Sequence, residues 1–280
     1  MSGYQHKHQA GSHADVLKQV VFIATIQKMQ EKFPEGIMIV DTHAGPGVYD
    51  GISEEFKKGA ARCKEKNLQA PPPVKKYVSL LNKLQKEFGE GTAPGSPLFA
   101  RELMRDQDEH RLMDLYTDVE GVYEDAVVRK TDSFHPDAFD FICPEEPAKH
   151  PVILIDPAYE DDNDLWRAKD LMDRILTRKS DACICLWIPL IRNDRHRWTF
   201  PKGLKDLAKE RASVGRYYCQ IVVDDKGLEG SAMLVSNPTN DMDETINEDC
   251  LNWMAHTMHK GKADYSVEQA MKKKKKVIHS

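Results

Sequence analysis

The sequence predicts an α/β fold built on a mostly parallel, doubly wound sheet, and three observations carry that prediction. Ile37 to Val40, Val152 to Ile155 and Ala182 to Ile188 are short apolar runs with the length and composition of strands buried on both faces. Patterns of helical period lie between them, as crossovers between parallel strands require. Two of the runs stop at an aspartate followed by turn residues: Asp41 precedes Thr42-His43-Ala44-Gly45-Pro46-Gly47, and Asp156 precedes Pro157-Ala158-Tyr159. Ligands of open α/β sheets collect at the carboxyl ends of strands, so both aspartates stand where chemistry is expected. Taken alone, Asp-Pro before a small residue is also ordinary turn chemistry.

Composition narrows the class. At 280 residues and 40% hydrophobic content the chain can bury a sizeable core. No window approaches the roughly 18 consecutive apolar residues of a membrane span, and the start MSGYQHKHQ has no apolar signal-peptide core. A soluble, cytoplasmic, monomeric protein is expected, a single domain over 1–280. The six cysteines form no CxxC pair and three lie in strand-like runs, which points to reduced, mostly buried thiols. Net charge of −5 argues against indiscriminate nucleic-acid binding, but charge is segregated. Residues 50–88 carry nine Lys or Arg against five acids and 190–216 eight against three, whereas 224–249 carry eight acids and one lysine. A basic side of that kind suits a phosphate backbone, although solvated helix faces look the same in sequence.

In chain order, residues 1–12 are polar, and His13 to Phe33 repeats apolar residues at helical spacing, an amphipathic helix with Lys18 near its first turns. His6, His8 and His13 lack a Cys or acid at ligand spacing, so no metal site is expected. The strand Ile37 to Val40 leads into the glycine turn, which lacks the third glycine of GxGxxG because Asp50 occupies that position. An acid at the strand end followed by GxG resembles the first motif of S-adenosylmethionine-dependent methyltransferases. Residues 50–93 interrupt the rhythm with helices over Ser53 to Lys66 and Val74 to Phe88 around Pro71-Pro72-Pro73, an inserted helical subdomain. Ser96 reads as an N-cap with Pro97 at the first helical position. Leu112 to Tyr116 is the next strand, with Asp114 placed for ribose hydroxyls, and Ala126 to Thr131 follows, ending at Asp132-Ser133. After Val152 to Ile155 come a helix over Asn163 to Leu176 and the strand Ala182 to Ile188. Tyr217 to Val223 and Ala232 to Val235 form an antiparallel hairpin that makes the sheet seven-stranded, and Asn247 to Met258 is a last helix. Five lysines at Lys272 to Lys276 repel one another, so 270–280 is expected to be a disordered basic tail.

YQHKHQAGSHADVLK at the N-terminus, DTHAGPG, PGSPLFARELMR, TDSF and ILIDPAY, in this order and with an insertion after the glycine loop, resemble the RlmJ family. The resemblance runs over nearly the whole chain and implies a Rossmann-like class I methyltransferase. Its members use S-adenosyl-L-methionine to methylate the exocyclic N6 of one adenine in large-subunit (23S-type) ribosomal RNA. Position by position it implies Asp156, Pro157 and Tyr159 as catalytic, Tyr4 and His6 as substrate-contacting, and Lys18, Gln19, His43, Gly45, Ser96, Asp114, Asp132, Ser133 and Asp156 as cofactor-binding. Gln19, Asp114 and Ser133 stand where the family more often has His, Glu and Gly, and Ala158 stands where the second proline of DPPY is usual. A DNA adenine-N6 methyltransferase would share the DPAY chemistry. A catalytically weakened RNA-binding homologue would share the fold, and a nicotinamide-dependent oxidoreductase would leave DPAY without a role.

Overall fold

The computed structural model describes residues 9–115, 125–145, 149–159, 161–191, 199–223, 228–258 and 264–271. The N-terminal half runs α1 (His13–Lys32), β1 (Ile37–Asp41), β2 (Val48–Asp50), α2 (Glu54–Lys58), α3 (Ala60–Glu65), α4 (Pro72–Phe88), β3 (Thr92–Pro94), α5 (Ser96–Arg101), β4 (Glu109–Asp114) and β5 (Val127–Lys130). It continues with α6 (Phe139–Ile142), β6 (His150–Ile155), α7 (Asp162–Arg178), β7 (Cys183–Ile191), α8 (Thr199–Arg211), β8 (Gly215–Val222), β9 (Leu228–Ser236), α9 (Met242–Thr245), α10 (Glu248–Met258) and β10 (Asp264–Met271).

The main sheet has the order β10-β8-β9-β7-β6-β1-β4-β5. Strands β5, β4, β1, β6 and β7 are parallel, and β9, β8 and β10 add antiparallel pairs beyond β7. The expected antiparallel hairpin is therefore present, but the sheet has eight strands rather than seven. The extra strand is β10, which pairs with β8 from Asp264↔Val222 to Met271↔Gly215. Its sequence, DYSVEQAM, has no apolar run, because an edge strand is specified by its neighbour's free backbone groups rather than by burial of its own. Ala270 and Met271, expected in the basic tail, belong to it, and Lys272 to Lys276 lie outside the described residues.

Alternation along the strands divides the core into two layers. Ile37, Ile39, Val152, Leu154, Cys183 and Cys185 face α1, α4 and α10, and Met38, Val40, Ile153, Ile155, Ile184 and Leu186 face α6, α7 and α8. All six cysteines are buried and unbridged. The helix α1 departs from the amphipathic expectation: fourteen of its 20 residues are buried, Lys18 and Gln19 among them. One side packs on the sheet while residues of the 48–94 excursion cover the other. That excursion leaves and returns through the two-stranded ladder of β2 and β3. The single helix expected over Ser53 to Lys66 is broken into α2 and α3 at Gly59, where a Cβ would lie 2.3 Å from the Gly11 carbonyl oxygen. Among the described residues no helix is long and apolar enough to cross a membrane.

Candidate active site

Strand order reverses between β6 and β4 on either side of β1, and the glycine turn crosses that point. Backbone bonds hold the turn in place: Thr42 N–H donates to Leu154 O (3.1 Å), Ala44 N–H to Met113 O (2.8 Å) and Gly45 N–H to Asp114 Oδ2 (2.9 Å). The acid at the end of β4 thus supports the loop. Gly45 has φ +62°, and a Cβ there would meet the Tyr49 phenol oxygen at 2.4 Å. The chain needs glycine at this position to leave an open backbone cradle.

Asp41 ends β1 fully buried and accepts from His43 N–H (3.1 Å) and from Ser96 Oγ (2.6 Å). Burial pushes its pKa up to about 6 against the lowering effect of those two donors. Ser96 therefore does not cap α5 with its side chain, as the sequence predicts; Gly95 holds the cap position and the hydroxyl is drawn to Asp41. The His43 ring lies between two hydroxyls, with Nδ1 2.7 Å from Thr42 Oγ1 and Nε2 3.0 Å from Ser133 Oγ. Thr42 gives its proton to Leu154 O (2.9 Å), so Nδ1 carries the hydrogen and Nε2 accepts from Ser133. Burial lowers the His43 pKa to about 4, keeping the ring neutral among nearby aspartates. Past β5, Asp132 accepts from Phe134 N–H (3.0 Å) and pairs with Arg167. Its carboxylate is held from two sides.

At the end of β6, Asp156 is half-buried, Pro157 buried and Ala158 exposed. Tyr159 adopts φ +53°, unusual for a bulky residue. Its phenol donates to Trp187 O (2.7 Å) and its ring lies 5.6 Å from the Trp187 ring, so the loop is anchored on β7 beyond Ala158. On the near side, the Lys18 ammonium bonds Asp156 Oδ2 at 2.5 Å and Asp15 Oδ1 at 2.7 Å. Only 4% of Lys18 is exposed, so its charge is met inside the protein rather than by solvent. Burial opposes its charge, yet Asp15 and Asp156 raise its pKa well above the ordinary lysine value.

A family model described as ribosomal RNA large subunit methyltransferase D, RlmJ, matches residues 34–271. The chain belongs to the RlmJ family. Relatives named ribosomal RNA large subunit methyltransferase J are 28% identical, one from Haemophilus influenzae over 96% of this chain and 98% of its own. Another, from Escherichia coli, matches over 91% and 93%. A crystal structure of a Legionella pneumophila protein superposes with a TM-score of 0.79 at 21% identity, covering 93% of this chain and 98% of that one, and speaks to the fold. The chain is thus an α/β methyltransferase of the Rossmann-like class.

Of the residues the resemblance implies, Lys18, His43, Gly45, Ser96, Asp114, Asp132, Ser133, Asp156, Pro157 and Tyr159 line the carboxyl edge of β1, β4, β5 and β6 or bond to residues that do. Gln19 is buried, and its Oε1 has no hydrogen-bond partner among the described residues. Tyr4 and His6 lie outside the described residues. Sequence reasoning missed Asp15, Tyr49 and Trp187. Asp15 stands three residues before Lys18, the i,i+3 spacing of a helical ion pair, and was legible on that ground. Nothing local to Tyr49 or Trp187 marks them. The indole Nε1 of Trp187 is buried and has no partner among the described residues, beside the anchored Tyr159. No group of three His, Cys, Asp or Glu side chains among the described residues is arranged to hold a metal ion.

Proposed function

We propose that this RlmJ-family methyltransferase takes a methyl group from S-adenosyl-L-methionine and transfers it to the exocyclic N6 of one adenine in large-subunit ribosomal RNA. The reading has the enzyme act in the cytoplasm as a monomer, with 50–93 as an inserted helical subdomain beside the active site. The observation that carries it is the pairing, across one sheet edge, of a glycine cradle on β1 with an aspartate, a proline and an anchored tyrosine on β6.

The residues present fit the cofactor. Gly45 leaves backbone exposed where a Cβ would collide with Tyr49, Asp114 ends β4 and Asp132 follows β5 where ribose and adenine are read in this fold, and Gln19 offers a buried acceptor in want of a donor. Bound there, S-adenosylmethionine supplies a methyl group activated by attachment to a sulfonium. The chain's own part concerns the amine. An adenine N6 lone pair is conjugated into the ring, so its nitrogen must be drawn toward tetrahedral geometry. Asp156 and the Pro157 carbonyl accept its two N–H bonds and stabilise the positive charge that develops on nitrogen. With a methyl group supplied there, the N6 lone pair would form the new N–C bond as the C–S pair stays with sulfur, and the Asp156 carboxylate or water would receive the proton from nitrogen. Tyr159, with Tyr4, offers aromatic surface to a base taken out of its stack, worth roughly 1–3 kcal/mol per base.

The test is transfer of labelled methyl to protein-free large-subunit RNA, followed by mass mapping of modified adenines. One N6-methylated adenine and its loss in Asp156→Ala, with cofactor affinity retained, are expected. Transfer to duplex DNA but not to RNA would move the assignment to the DNA enzyme, and cofactor binding without transfer to either would leave a binding homologue.

A further inference from the structure

We infer that Arg167 is a positioning residue for the cofactor's base, holding the Asp132 carboxylate in the orientation that receives the 6-amino group of the S-adenosylmethionine adenine. The inference rests on the reading of Asp132 as a cofactor-binding residue.

Asp132 follows β5 in a turn that leaves its side chain part-exposed, where a lone carboxylate would rotate freely. Two donors from different elements stop it. Oδ1 accepts from Phe134 N–H at 3.0 Å, and Oδ2 pairs with Nη2 of Arg167 on α7. The same guanidinium lies over the Phe134 ring, with Cζ 4.4 Å from the centroid, and its Nη1 is 3.3 Å from Asp164 Oδ1. A planar guanidinium can do both because its face stacks on an aromatic ring while its edge donates in the plane. The His43 ring also packs on Phe134, with centroids 5.1 Å apart, and bonds Ser133. The turn 132–134 is thus gripped by α7 through Arg167 and by the glycine loop through His43.

The start of α7 places Arg167 for this. Asp161 and Asp164 close a capping box at its first turn, and Arg167 stands three residues after Asp164, one turn on along the same face. Two effects of the cation on an amine acceptor oppose each other. Its charge weakens the carboxylate as an acceptor, but the Arg167 and Asp132 side chains are 43% and 34% exposed, so water screens that effect. Its bond spares Asp132 the ordering that a freely turning side chain undergoes when it meets a ligand, and this is the larger effect. Each carboxylate oxygen has two lone-pair directions. Phe134 and Arg167 take one apiece, which leaves one on each oxygen for the amine.

The probes are S-adenosylhomocysteine and its analogue with hydrogen in place of the adenine 6-amino group, titrated calorimetrically. Wild-type protein should bind the first more tightly by about tenfold. Arg167→Met keeps an unbranched apolar chain over Phe134 and removes every donor. The preference should then fall by about two- to tenfold, with the loss on the amine-bearing ligand alone. An ion pair this exposed contributes little to stability, so the folded variant is there to be titrated. Arg167→Lys, which keeps the charge without the planar fork, should recover only part of the preference. In an Asp132→Ala background Arg167→Met should leave the ratio of the two affinities unchanged, because the residue through which it acts is gone. A preference kept in Arg167→Met, an equal weakening of both ligands, or the same effect with and without Asp132 would each overturn the inference. Equal affinity of the wild-type protein for the two ligands would instead overturn the reading of Asp132, and binding of neither would overturn the proposed cofactor.

Discussion

Replacing Gly45 by alanine tests the cradle, and its cost can be worked from two separate terms. The first is backbone: φ is +62°, and an L-residue held in the left-handed region costs roughly 1–2 kcal/mol. The second is contact, since the added Cβ would sit 2.4 Å from the Tyr49 phenol oxygen, well inside van der Waals distance. The next atom of that ring, Cζ, is at 3.6 Å, an ordinary contact. Tyr49→Phe therefore removes the collision and leaves the backbone term. If the loop keeps its shape, the strain appears as lost stability; if it relaxes, the cofactor must restore the shape and the strain appears in its affinity. For Gly45→Ala the two losses together should exceed the backbone term. In the Tyr49→Phe background, measured against Tyr49→Phe alone, the losses caused by Gly45→Ala should return to roughly 1–2 kcal/mol, equivalent to about 5- to 30-fold in Kd if all of it falls on binding. Calorimetric titration with S-adenosylmethionine and thermal melts of all four proteins measure the cycle. Unchanged affinity and stability in Gly45→Ala, or no recovery on adding Tyr49→Phe, would refute the account of the loop.

Three further outcomes are expected. Tyr159→Phe loses the hydrogen bond to Trp187 O and should cost about 1 kcal/mol of stability while methylation persists. Tyr159→Ala also removes the base-stacking face and should lower kcat/KM by about 5- to 150-fold, so equal activity of the two variants would count against stacking. Ala158→Pro should change kcat by less than about threefold and stabilise by no more than about 1 kcal/mol, because Ala158 is exposed and Tyr159 already fixes the loop; a large gain in activity would show that the missing ring matters. Acidification should destabilise the fold. His43, His110 and His150 have pKa values lowered by burial to about 4, so between pH 6.5 and 4 the unfolded chain binds more protons and stability falls with pH. Asp41, raised by burial to about 6, opposes this between about 6 and 3.8, where the folded state holds the extra proton. Three groups act against one, and denaturant melts that show equal or greater stability at pH 4.5 than at pH 7 would contradict the balance.

How much of this was legible in the sequence depended on where each residue's partner lies. The central strands announce themselves because burial on both faces demands an unbroken apolar run, and their ends because an aspartate and a glycine or proline must follow where a ligand is met. The edge strand β10 demands neither, although its Val267 packs against the core. Lys18 looked like one cation on an amphipathic helix, since one of the two acids that fix it stands 138 residues away and the helices that cover α1 arrive only after the glycine loop. Ser96 looked like a cap for the same reason: its true acceptor, Asp41, is 55 residues upstream.

These long-range partners bear on Ala158 more than the local sequence does. Read along the chain, loss of the second proline leaves Asp156 and Tyr159 joined by a looser link. In the folded protein the link is not what holds them. Lys18 fixes one carboxylate oxygen from α1, Pro157 is buried between them, and the Tyr159 phenol is bonded to the backbone of β7. A proline ring at an exposed position would narrow the conformations of the unfolded loop, an effect of about 0.4–1 kcal/mol, without adding a contact to either functional side chain. Rigidity at this motif comes from two anchors on separate elements, α1 and β7, together with the burial of Pro157, and the second proline of the usual motif is one way among several of supplying it.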